Sequence, residues 1–312
     1  MIEAFDIGLV LLILGLAVWT DAARDTFAAI VGFVAYGLLL ALAWVRLRGI
    51  DVALTEAALG TGLTGAMLIG AATRLRGSET LAQRKSPGVA TRVLAGLLAA
   101  GVAVALGVAV LALPDPAPTL APETAANMAA TGVGNPITAV LLAFRAMDTL
   151  LEAIVVLFAL IGVWSLAPDA LWGGRPGLKP HVDPHGILAY LARILPPVGI
   201  IVGTYIFWIG ADLPGGKFQG ATLLAAMWLL VVMAGLADTP PIRNSWLRVA
   251  LVAGPMIFIG VGAYGAAVAG AFLGYPEGLA KPLIKVIEWA LFPSLALTLG
   301  LIVAGAPRRG SE

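Results

Sequence analysis

Long apolar runs alternate with short polar connections along the whole chain. Nine runs stand out, at roughly 3–20, 27–45, 51–72, 92–113, 136–166, 188–210, 219–237, 247–273 and 283–304. A hydrocarbon core about 30 Å thick needs about 20 helical residues to cross it. The pattern therefore predicts an all-α integral membrane protein with about nine transmembrane helices. Only the connections 73–91, 114–135 and 167–187 are long enough for structure of their own. No soluble domain fits in them, so the chain works in the membrane or against other membrane subunits.

Polar positions inside the runs are the candidates for chemistry. The run 136–166 contains Phe144-Arg145-Ala146-Met147-Asp148-Thr149-Leu150-Leu151-Glu152. A charge near the bilayer centre costs at least about 2.5–3.5 kcal/mol, so it needs a partner, a wet cavity or a task. On one continuous helix Arg145, Asp148, Thr149 and Glu152 share a stripe. Arg145 then pairs with Asp148, Thr149 joins them, and Glu152 lies one turn deeper. The bland alternative is an ion pair that pins helix packing. The third run opens Asp51-Val52-Ala53-Leu54-Thr55-Glu56. Asp51 at the interface suits a helix-start cap. Glu56, more than a turn in, is either a dipole-favoured acid or a proton or cation carboxylate.

Further on, Leu195-Pro196-Pro197 either breaks and restarts a helix or marks its first turn. Asp212-Leu213-Pro214-Gly215-Gly216-Lys217-Phe218-Gln219-Gly220 is a Gly-rich turn between two spans. Lys285 and Glu288, three apart, offer a helical pair, with Lys285 snorkelling and Glu288 a weaker relay candidate. His181 and His185 flank Asp183 in a connection, too few ligands for a metal site. Two GxGxxG matches, at Gly60–Gly65 and Gly260–Gly265, lie inside apolar spans without a βαβ setting and are chance. Small residues four apart, Gly62, Ala66 and Gly70, then Gly262, Ala266 and Gly270, instead mark faces for close helix packing.

Composition narrows the class. Hydrophobic residues make up 60% and charged residues 12%, at a mean hydropathy of +0.97, whereas soluble domains carry about 25% charged residues. A net charge of +1 gives no case for nucleic acid as a partner. Without cysteine there is no disulfide, haem-attachment or iron–sulfur ligand set, which argues against an enzyme with its own redox cofactor. The N-terminus lacks the basic region of a cleaved signal, so the first run reads as a retained helix. Lys and Arg concentrate on one side: Arg24, Arg74, Arg76, Arg84, Lys85, Arg92, Arg175, Lys179, Arg193, Arg243, Arg248, Arg308 and Arg309. The opposite side has Arg46, Arg48, Lys217, Lys281 and Lys285. The positive-inside rule then places the C-terminus in the cytoplasm and the N-terminus outside.

Three stretches carry a family resemblance. Asp51-Val52-Ala53-Leu54-Thr55-Glu56-Ala57-Ala58 resembles the signature of an MbhD-type module. Asn135-Pro136 with Phe144-Arg145, Asp148-Thr149-Leu150 and Glu152 resembles the MbhE-type module near the end of the large Mrp A subunit. Pro214-Gly215-Gly216-Lys217-Phe218-Gln219-Gly220 and the closing helix resemble the MnhB (Mrp B) subunit. Together they resemble the Mrp-type multisubunit cation/proton antiporter and the related membrane arm of energy-converting hydrogenases. The resemblance implies a three-helix module at 1–112, a two-helix module at 113–166 and a four-helix module at 188–304. There are two departures. The usual Phe-Arg-Gly-Phe-Asp-Thr is Phe144-Arg145-Ala146-Met147-Asp148-Thr149, with its charges kept. The usual Pro-Gly-Gly-Gly-Phe has Lys217 in its fourth place, which speaks against cation passage along that turn.

The resemblance implies a subunit of a plasma (inner) membrane complex, set among antiporter-like subunits and lipid, that moves H⁺ and Na⁺. In that reading Glu152 is the leading carrier, with Asp148 and Arg145 tuning it. Asp51, Glu56, Thr149 and Glu288 accompany it, and Pro214, Gly215, Gly216 and Phe218 form a structural turn. Rival readings are a purely structural adaptor, a membrane arm coupled to a redox complex, and a standalone solute transporter. The last expects internal repeats, which the chain does not display.

Overall fold

Each apolar run becomes helix because a backbone in hydrocarbon must satisfy its own hydrogen bonds. The structure, a computed structural model, describes residues 2–83, 88–116, 118–177 and 186–310. His181, Asp183, His185, Arg84, Lys85 and Lys179 lie outside the described residues.

Helices α1 (Ile2–Ala22) and α2 (Thr26–Arg46) form a hairpin. Arg46 closes it by donating to both carboxylate oxygens of Asp6, at 2.7 and 2.9 Å. The third span is continuous but changes pitch: α3 (Ile50–Thr55), a π-helical stretch Glu56–Leu63, then α4 (Thr64–Gln83). Helix α5 (Val89–Leu111) stands off, with no buried residue. The chain then turns through α6 (Ala121–Thr131) and α7 (Pro136–Ala139), a pair bent by 85°. A π-helical stretch Val140–Phe144 leads to α8 (Ala146–Trp164). The last four helices are α9 (Ile187–Ile209), α10 (Lys217–Met233), α11 (Ser245–Ala269) and α12 (Ala280–Ala304). Strands β1 (Arg175–Pro176) and β2 (Pro307–Arg309) pair antiparallel at one end. There Arg309 bonds Asp238 at 2.6 Å, and Thr239 donates to the Pro176 carbonyl at 2.7 Å.

Among the described residues eight helices are long and apolar enough to span, or nine if the bent pair counts as one. The seventh expected run is α10, 17 residues long, about 26 Å at 1.5 Å per residue. The fifth, read as one helix over 136–166, is broken. Arg145 leaves helical geometry (φ −130°, ψ 38°), and α8 restarts after it. The freed carbonyls are taken up locally. Thr149 donates to the Leu141 carbonyl at 2.6 Å, and the Tyr275 hydroxyl to that of Leu142 at 2.6 Å. Burial pushes the Tyr275 phenol above its usual range, which keeps it a donor.

The prolines also behave differently from expectation. Helix α9 begins at Ile187 and runs through Pro196 and Pro197. The nine apolar and basic residues before the prolines (187–195) already hold a helix, so they neither start nor restart it. Of the small-residue faces, Gly262 packs closely on the Phe272 ring, while among the described residues nothing lies within 4 Å of a Cβ on Gly70 or Gly270. Helices α9 and α10 also approach closely, where a Cβ on Gly220 would come within 2.5 Å of the Gly203 carbonyl. Helix α12 is central, 56% of its span being buried. Phe207 of α9 stacks on its Phe292 at 4.2 Å, and Trp289 meets Phe207 edge-on at 4.9 Å.

Candidate functional site

The 210–216 connection is short, glycine-rich and held from every side. The amides of Gly134 and Asn135 both donate to the Ala211 carbonyl at 3.0 Å. The Asn135 side chain caps α7 through Ile137, and its amide donates to the carbonyls of Gly210 (3.3 Å) and Leu213 (3.1 Å). Thr138 also donates to Gly210. From the third span, Asp51 Oδ1 accepts from the Gly215 amide at 2.9 Å and from Asn135 at 3.2 Å. Gln219 of α10 donates to Thr55 Oγ1 at 2.9 Å. Asp51 thus does not cap its own helix, whose N-cap is Gly49. It caps the distant turn, because the turn presents free amides there.

Gly215 has φ +148°, and a Cβ on it would come within 2.4 Å of the Ile206 carbonyl. Pro214 before it fixes the approach to the turn. Gly215→Val is expected to displace the turn at a cost of roughly 1–3 kcal/mol from backbone strain alone. The check is the melting temperature of the solubilised protein. A wild-type melt would show that the turn tolerates a side chain.

This clamp fixes the start of α10, and so Lys217. Lys217 is 5% exposed and sits in the first helical turn, where the helix dipole disfavours a cation. Its compensation is across a cavity of about 260 Å³ lined by Glu152, Lys217 and Glu288, with Asp51, Thr55 and Gln219 adding polar wall. The space suits several waters at about 30 Å³ each. Both glutamates act electrostatically on Lys217, and its ammonium also lies 5.6 Å from the Phe218 ring. Glu288 is 1% exposed, and among the described residues its Oε2 has no hydrogen-bond partner. Lys285 stands 3.6 Å from that oxygen. Glu152 comes from the exposed flank of α8. Two carboxylates and a buried amine on three helices thus converge on one cavity with room for water. A proton can pass between such groups when each alternates between charged and neutral forms.

The other expected residues are placed apart. Arg145 and Asp148 pair at 2.6 Å, but on the surface, with side chains 70% and 51% exposed. Thr149 does not join them; it is buried on the Leu141 carbonyl. The stripe fails because Arg145 sits at the helix break. Glu152 faces Lys217 instead. Glu56 does not line the cavity either. Its carboxylate lies against Gly37 of α2 and Gly60, accepting from Thr61 at 3.4 Å. Lys217 lines the same cavity; the sequence marked it as a lysine in a place the motif usually gives to glycine, and did not indicate that it meets Glu152 and Glu288.

Two families match this chain. One is MbhD, a component of MBH, over residues 11–77; the other is the domain related to the MnhB subunit of Na⁺/H⁺ antiporter, over residues 187–307. One chain of the Mrp complex from Dietzia sp. DQ12-45-1b is similar at TM-score 0.71 and 22% identity, over 97% of this chain and 35% of that one. The present chain therefore spans about a third of its length. A chain of the membrane-bound sulfane sulfur reductase (MBS), an archaeal respiratory membrane complex, is similar at TM-score 0.55 and 23% identity, over 69% of this chain and 99% of that one. At these identities both speak for the fold. Among curated proteins nothing matches.

Proposed function

We propose a proton-path role for a chain that belongs to the Mrp-type multisubunit cation/proton antiporter family, its MbhD and MnhB modules fused in one polypeptide. It serves as a membrane subunit of an antiporter complex that exchanges Na⁺ for H⁺. It sits in the plasma membrane with its N-terminus outside and its C-terminus in the cytoplasm, against other antiporter-like subunits. The observation that carries this reading is the convergence of Glu152, Lys217 and Glu288 on one cavity. Glu288 takes a proton in the core, Lys217 relays it, and Glu152 passes it from the exposed flank of α8 to a neighbouring subunit. A lysine at this point favours protons over Na⁺ along the turn, because a fixed ammonium repels a metal cation.

The test is Glu152→Gln in the assembled complex. Proton-coupled transport is expected to fall by about tenfold or more, the effect of roughly 1.4 kcal/mol on a barrier. Unchanged transport with normal assembly would sink the relay.

A second reading, the structural adaptor, draws on the exposed Arg145–Asp148 pair. It expects Arg145→Ala to break assembly and Glu152→Gln to be harmless.

A further inference from the structure

The buried carboxylate of Glu288 has two faces. One lines the cavity with Lys217. The other, Oε2, lacks a hydrogen bond and faces Lys285 at 3.6 Å. Lys285 lies one helical turn from Lys281, so the two lysines and Glu288 form one stripe along α12. Lys281 is held at the surface by both oxygens of Asp212, at 2.7 and 2.9 Å. Its ammonium holds the Asp212 carboxyl below the usual carboxylate range, so this mouth stays charged. Lys285 belongs to neither end. Its side chain is 24% exposed, its ammonium donates to the Trp208 carbonyl at 3.1 Å, and it lies 6.0 and 5.7 Å from the rings of Phe207 and Trp208. Its charge acts on both Asp212 and Glu288.

We propose that Glu288 is reached from the surface by a second route, past Lys285, with the Lys281–Asp212 pair at its mouth and Lys285 as its movable gate. The ammonium swings on its four-carbon stem from Glu288 toward Asp212. Among the described residues Asp212 Oδ2 receives only Lys281 and has acceptor capacity left, whereas Oδ1 also serves the Gly134 amide. The swing uncovers Oε2 to water. A hydronium ion on the route then gives its proton to Oε2, leaving a neutral water and a neutral carboxyl. Lys285 returns once Glu288 has passed its proton to the cavity side and is an anion again. The ligand is a water-borne proton, which hydrogen-bonded waters relay along the route, whereas a metal cation would itself have to pass both ammonium groups. As a step in transport this rests on the reading of Glu288 as a carrier; the route itself rests on the geometry.

The chain has no cysteine, so single thiols report cleanly. Glu288→Cys is placed in the full chain within its native membrane. A small uncharged thiosulfonate, the probe, is added from the side on which Leu213→Cys, in the exposed turn, reacts, so that its rate reports access and not charge repulsion by Lys285. Adding Lys285→Met is expected to speed labelling of the Glu288 thiol by about tenfold or more, and Lys285→Arg is expected to keep it slow, while the Leu213 thiol reacts at one rate in all backgrounds. An unchanged rate with Lys285→Met, or labelling only from the other side, overturns the route. Where Glu288→Cys does not assemble, a water-soluble carbodiimide added from the same side to the chain with native Glu288 replaces it. Modification of Glu288, read by peptide mass spectrometry, is then expected to rise with Lys285→Met, and no rise overturns the gate. Transport that survives Glu288→Gln, alongside labelling controlled by Lys285, would remove the carrier role and leave the route standing.

Discussion

Replacing Lys217 by methionine is expected to stop proton-coupled transport and to destabilise the chain. The side chain is 5% exposed, and two carboxylates on neighbouring helices face it. Removing one partner from a buried charge cluster costs about 3–5 kcal/mol, because the opposite charge is left in a poor solvent. Here that charge is Glu288, which keeps only Lys285, at 3.6 Å and without a hydrogen bond to Oε2. The double variant Lys217→Met with Glu288→Gln removes both charges and is expected to recover much of the stability. It is not expected to recover transport, since neither group then exchanges a proton. Melting temperature and proton flux, measured on the same preparations, separate the two effects. A Lys217→Met protein that melts early but transports normally would make the lysine a packing group. One that melts normally would show that it is already neutral in its site.

Much of the fold was legible because hydrocarbon leaves the backbone few options. Eight of the nine expected spans match helices within a few residues at most ends. The run 136–166 misled because hydropathy counts residues and does not see hydrogen bonds. Arg145 breaks the helix only because Thr149 and Tyr275, the latter 133 residues from its partner Leu142, satisfy the carbonyls the break exposes. Helical periodicity then assigned Arg145, Asp148, Thr149 and Glu152 to a common face that exists only if the helix is continuous. Pro196 and Pro197 misled in the opposite direction, since local rules penalise a proline that a helix established upstream tolerates.

The site was half legible for a related reason. Glu152 and Glu288 announced themselves as acids inside apolar runs. Their meeting did not, because it depends on how α12 packs against both α8 and α10. Lys217 looked like a blemish in a glycine turn. Its neighbours Gly210, Gly215 and Gly216 bring the backbone so close that a Cβ on Gly210 would lie 2.7 Å from Gly216 Cα. That closeness buries the lysine where either flanking glycine alone would leave a plain turn.

Asp51→Ala is expected to loosen all three parts of the chain at once. Its Oδ1 joins the third span to Asn135 and to Gly215, so one oxygen bridges the MbhD module, the middle segment and the MnhB module. Hydrogen bonds to a charged group contribute about 1.5–3 kcal/mol each, and the alanine also strands the Gly215 amide. The expected result is a lower melting temperature and faster proteolysis in the 210–216 turn. Asp51→Asn keeps an acceptor oxygen at the same place and is expected to melt only slightly early. The pair of variants distinguishes a positioning residue from a proton carrier. If Asp51 holds the turn, Asn supports near-normal transport and Ala does not, the loss following the displacement of Lys217. If Asp51 carries protons, Asn stops transport without changing the melt, because an amide does not titrate. The carboxylate already has two donors on one oxygen, which argues for the first outcome: that oxygen is committed to holding the Gly215 amide and the Asn135 side chain together.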